Sequence, residues 1–153
     1  MLTQMKVHGL AFDPYQNTYI VILKDDERNE VIPIWIGRPE AHAIGLAMEG
    51  VFPQRPMTHD LITNIMDIFQ AKVISVVLTQ LKDATYYSKI HLAYNDAELT
   101  LDARPSDAIA LAVRANAPIF AHEDIPRSVQ TDAIHELLEG LNSTDTQESE
   151  EED

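Results

Sequence analysis

The chain has 153 residues, 45% apolar and 24% charged, which suits one globular domain around one core. It has no cysteine, so disulfides, thiolate metal sites and cysteine nucleophiles are excluded, and its longest clean apolar run, residues 108–113, is far short of the roughly 20 residues of a membrane span. A net charge of −14 argues against a broad basic footprint on nucleic acid, because that affinity comes largely from lysine and arginine neutralising phosphates.

Residues 1–7 carry one lysine and no apolar stretch of the kind a signal peptide needs, so the expected compartment is the cytoplasm. Residues 6–12 read as a strand, followed by the β-branched and aromatic run 18–23 (TYIVIL) between Asp13-Pro14 and a polar cluster. Residues 31–36 complete a three-stranded meander with 18–23 at its centre, and Pro33 favours an edge or a bulge. Ile44, Ala47, Met48 and Val51 then recur at helical spacing, as do Leu61, Ile65 and Ile68 with Ile62, Met66 and Phe69 beside them, which predicts two amphipathic helices. Residues 73–81, 86–94 and 97–103 alternate, with Asp83-Ala84 and Asn95-Asp96 as hairpin turns, and form a second meander.

Residues 106–115 are apolar on nearly every side, which predicts a buried central helix. Residues 119–121 make a short strand, and residues 132–139 a last small helix stopped by Gly140. Asp145, Glu148, Glu150, Glu151, Glu152 and Asp153 follow without a base, so residues 143–153 are expected to be a disordered acidic tail on a domain spanning 1–142. Strands in runs and helices in runs indicate α+β: two antiparallel meanders in mixed or antiparallel sheet, packed with three main helices, one of them buried.

Each helix start combines arginine, proline and an acid: Arg38-Pro39-Glu40, Arg55-Pro56 with Thr58-His59-Asp60, and Arg104-Pro105-Ser106-Asp107 with Asp102 just upstream. Taken singly, an acid there is explained by the positive end of the helix dipole, and proline by a first turn whose N–H is unpaired anyway. Together they suggest phosphodiester chemistry. Helix N-termini with arginine bind phosphate, and clustered carboxylates hold magnesium or manganese, which would polarise the phosphoryl group and acidify an attacking water. On that reading Glu40, Asp60, Asp102 and Asp107 are metal ligands, His59, Asp60 and Asp107 are catalytic, and Arg55, Arg104 and Ser106 bind substrate.

Glu49, in the last turn of its helix, opposes the dipole and is expected to pair with Arg55. Tyr86, Tyr87 and Lys89 make an aromatic and basic strip whose commoner use is packing and whose sharper use is base stacking. The six histidines lack paired metal-ligand spacing, and no nucleophile elbow, Walker loop or dinucleotide fingerprint is present.

The segments Pro33-Ile34-Trp35-Ile36-Gly37 leading to Glu40-Ala41, Arg55-Pro56-Met57-Thr58-His59-Asp60-Leu61, and residues 102–112 (DARPSDAIALA) resemble the bifunctional nuclease family in order, spacing and letters. The resemblance covers roughly residues 7–125. It implies an α+β domain, divalent-metal-dependent cleavage of DNA and RNA, and self-association into a homo-oligomer. It supplies no settled catalytic set, so the roles above rest on the chemistry of the residues. The alternative is a non-catalytic, oligomeric binding or assembly module in which the Arg-Pro-acid starts are structural ion pairs.

Overall fold

The computed structural model describes residues 1–25 and 27–129, so the helix expected at 132–139 and the acidic tail at 143–153 lie outside the described residues. Three strands come first: β1 (Leu2–Asp13), β2 (Thr18–Asp25) and β3 (Glu30–Ile36), antiparallel in sequence. Helices α1 (Arg38–Glu49) and α2 (Thr58–Phe69) follow, then the meander β4 (Lys72–Lys82), β5 (Thr85–Tyr94) and β6 (Ala97–Ala103). Helix α3 (Pro105–Ala115), β7 (Ile119–His122) and the two-residue β8 (Ser128–Val129) complete the described chain. The fold is α+β.

Both meanders belong to one mixed eight-stranded sheet in the order β6-β5-β4-β7-β1-β2-β3-β8. The join is made by β1 and β7. The first residues of β1 pair antiparallel with β7, the rest pair with β2, and β7 lies parallel to β4. Turn residues Asp83, Ala84, Asn95 and Asp96 all have positive φ, as tight hairpins that match the twist of their strands require. Pro33 pairs with Ile22 on one side, while on the other β8 reaches only Glu30 and Val31, so proline's missing N–H falls on the open stretch of the edge.

Helix α3 is the centre of the core. Ala108, Ile109, Ala110 and Ala112 are fully buried, and small residues let α1 and the sheet approach its backbone closely. Ile44 of α1, Leu78 of β4, Ile90 of β5 and Val21, Leu23 and Ile32 of the first meander close around it. Ile20, Ile22 and Val31 form a second, smaller cluster. Helix α2 differs: it has the expected apolar stripe, yet no residue of it is fully buried. No helix among the described residues is long and apolar enough to cross a membrane.

Candidate functional site

The three helix starts share a register that the sequence hid. Glu40, Asp60 and Asp107 each occupy the third position of the first turn, after the cap residues Gly37, Met57 and Arg104. A carboxylate there is close to unpaired backbone N–H groups and to the positive pole of the dipole. Asp60 uses this directly, its Oδ2 accepting the Met57 N–H at 3.0 Å. A Cβ on Gly37 would clash with Glu40 Oε2, so the glycine leaves room for that carboxylate to fold back over its own helix start.

Two of the three acids meet at Arg104. Its Nε donates to Asp107 Oδ2 at 2.9 Å and its Nη1 to Glu40 Oε1 at 3.3 Å, which ties the start of α3 to that of α1. His59, at the second position of α2, brings in the third helix: its Nε2 lies 2.9 Å from Asp107 Oδ1. A carboxylate only accepts, so that ring nitrogen carries the proton and Nδ1 is left as the acceptor of the neutral ring. The imidazole is 11% exposed and the arginine 65%, so the first is held and the second reaches solvent.

Burial raises the Asp107 pKa, but the hydrogen bonds from Arg104 and His59 outweigh it and hold the carboxyl below its usual range. The same contact with Asp107, reinforced by Glu40, raises the Arg104 pKa further. The third acid takes a different partner. Asp60 Oδ1 accepts from Arg114 Nε at 3.0 Å, and that hydrogen bond is the main reason its pKa is lowered. Arg114 also donates to the carbonyls of Ala110 at 3.0 Å and Ala43 at 3.1 Å, so one guanidinium fastens α2, α3 and α1 together. The sequence reading missed Arg114. Its only signal was a lone cation near the end of an otherwise apolar helix.

The four expected metal ligands therefore do not form one cluster. Glu40 and Asp107 share Arg104, Asp60 is on Arg114, and Asp102 is exposed on β6 in register with Lys89. Among the described residues no group of three or more histidine, aspartate and glutamate side chains could hold a metal ion. Acids already neutralised by arginine do not fit a divalent cation, which needs several converging oxygen donors. Of the expected catalytic residues, His59 and Asp107 are brought together, while Asp60 contacts Arg114 instead.

Ser106 is buried beside Arg104. Arg55 is exposed in the loop between α1 and α2, with no ion pair to Glu49 or another acid among the described residues. The expected Glu49–Arg55 pair does not form: Glu49, in the last turn of α1, and Arg55, in the loop, are each exposed. The Tyr86, Tyr87 and Lys89 strip is split by the pleat: Tyr86 packs against the core cluster while Tyr87 and Lys89 are exposed.

Beside Arg104 lies a cleft of about 330 Å³, between the end of β3 with the start of α1 on one side and the β4–β5 turn on the other. Trp35, Gly37, Glu40, Thr85, Tyr86 and Arg104 are among its lining residues. Trp35 is 47% exposed, and its indole N–H donates to Asp13 Oδ2 at 3.0 Å, which fixes the ring.

Comparison with known proteins gives a consistent result. The family model for the bifunctional nuclease domain matches residues 21–135. An uncharacterized protein of Mycobacterium tuberculosis is 34% identical over 122 residues, which cover 80% of this chain and 73% of that protein. Bifunctional nuclease 1 of Oryza sativa subsp. indica and Bifunctional nuclease of Oryza minuta are each 28% identical over 109 residues. That match covers 69% of this chain and 33% of each rice protein.

Proposed function

Because the chain belongs to the bifunctional nuclease domain family, we propose that it hydrolyses phosphodiester bonds in nucleic acid at the junction of its three helix starts. The observation that supports this reading is the His59–Asp107–Arg104 chain of hydrogen bonds, which ends in a solvent-facing guanidinium beside a cleft. Arg104 binds the phosphate and offsets the charge that builds on it in the transition state. Asp107 orients His59 and fixes its tautomer. Nδ1 of His59 takes a proton from water as the water oxygen bonds to phosphorus, and the same proton passes to the leaving ester oxygen as its bond to phosphorus breaks.

The magnesium or manganese dependence implied by the resemblance has no ready ligand group in this arrangement, so no step is assigned to an ion. A second reading has its own support: Arg104 and Arg114 make the ion pairs that an assembly module would use to lock α1, α2 and α3 together.

Cleavage of labelled DNA and RNA by the full chain, with chelator, magnesium or manganese, separates the readings. His59→Gln and Arg104→Ala, both still folded, are expected to lose about 100-fold or more in rate. Equal cleavage by wild type and both variants would remove the chemistry from this junction, and no cleavage at all would leave the assembly reading. Cleavage abolished by chelator and restored by manganese would mean that the acids leave their arginines to hold an ion.

A further inference from the structure

A cleft of about 330 Å³ is at the small end of the range for ligand pockets, large enough for one nucleotide and far too small for a duplex. Its lining combines the two kinds of group that an unstacked nucleotide needs. Arg104, which pairs with Asp107 and Glu40 yet keeps 65% of its side chain exposed, supplies the cation for phosphate, while Trp35 and Tyr86 supply aromatic surface. Trp35, half exposed and pinned through its indole N–H to Asp13, would lose no rotamer freedom on binding.

We propose that the cleft between the end of β3 and the β4–β5 turn is a subsite for one unstacked nucleotide beside Arg104, so that the substrate class is single-stranded nucleic acid. This rests on the nucleic-acid reading of the Arg104 junction. A base inside a duplex can enter only after unpairing and unstacking, whereas a single strand presents its bases at much lower cost. The preference is set by the cleft and is therefore separable from the proton chemistry at His59.

Trp35 is the single tryptophan of the chain, so its emission reports on this cleft directly. The full chain is titrated with single-stranded DNA and RNA oligonucleotides and with blunt duplexes of the same sequence. Both single strands are expected to change Trp35 emission and to bind at least tenfold more tightly than the duplexes. Thr85→Glu, an exposed change at the cleft wall that leaves the core untouched, should weaken single-strand binding about tenfold by placing negative charge beside the phosphate site. Equal affinity for duplex, or single-strand binding that ignores Thr85→Glu and leaves the emission unchanged, would overturn the subsite. Cleavage that treats single strand and duplex alike would remove the subsite and keep the nuclease reading, whereas selective binding without cleavage would keep the subsite and remove that reading. A response to DNA alone or RNA alone would restrict the class to that polymer.

Discussion

Helices α2 and α3 are nearly the same length, each has an acid at its third position, and each is rich in apolar residues, yet they are attached to the molecule in opposite ways. Helix α3 is held by burial: seven of its eleven residues are buried against α1 and the sheet. Helix α2 buries none completely and is fastened at its first turn by two polar links to α3, His59 to Asp107 and Asp60 to Arg114. An apolar stripe thus states that a helix has two faces, not that one of them is covered. The difference also explains the position of the site, because the polar links of α2 bring His59 to the Arg104 junction.

The largest effect expected from this contrast is in α3. Ile109 is fully buried in the main core cluster, so Ile109→Ala should leave a cavity and cost about 2–5 kcal/mol in urea unfolding. A cost below about 1 kcal/mol would mean that α3 is not the centre of the core.

Next comes Arg114, the polar fastener. Its side chain is 10% exposed and satisfies a carboxylate and two carbonyls, so Arg114→Ala leaves Asp60 charged and unpaired in a partly buried place. A loss of about 3 kcal/mol is expected. Combining it with Asp60→Asn should recover part of that loss, because the stranded charge is then gone. Strict additivity of the two losses would show that they do not interact.

The polar fasteners were the part least visible in the sequence. Strands, turns and helices could be read because their causes are local: alternation in residues 86–94, the Asp83-Ala84 and Asn95-Asp96 turns, proline and acid at each helix start. The union of the two meanders could not, because Thr3 and Gln4 show no apolar alternation and their pairing with β7 comes from more than a hundred residues away. Glu40, His59, Arg104 and Asp107 were legible as candidates since the repeated Arg-Pro-acid pattern pointed to them. Their partners were not, because an acid bound to arginine and an acid waiting for a metal are the same letter. Arg114 shows this most sharply, with Asp60 54 residues and Ala43 71 residues away in the chain.

A smaller effect should appear in acid. Asp60 is lowered mainly by its hydrogen bond from Arg114; Asp107 is lowered because Arg104 and His59 outweigh its burial. Each contribution is fully present above the ordinary aspartate value of 3.8 and is lost as pH falls through the lowered folded value. Urea midpoints measured from pH 5 downward should therefore fall below pH 4, and the fall should be shallower in Asp60→Asn. Partial exposure of both acids keeps this below the cost of Arg114→Ala. An identical slope in wild type and variant would mean that Asp60 has the same pKa folded and unfolded.

The smallest effect belongs to the open face of α2, where Leu61, Ile65, Ile68 and Phe69 are 47–77% exposed. Ile65→Ala removes methyl groups that solvent already touches and puts the better helix former in their place, so the change should stay within about 0.5 kcal/mol at low protein concentration. Repeating the measurement over a hundredfold range of concentration gives the contrast with α3 its strictest test. If the cost of Ile65→Ala stays flat, α2 is held by its first-turn links and by Ile62 against the core, and its outer face is uncovered. If it grows with concentration, a second copy of the chain covers that face, since a partner that binds only the folded state adds stability by mass action, and the self-association implied by the family resemblance has its surface.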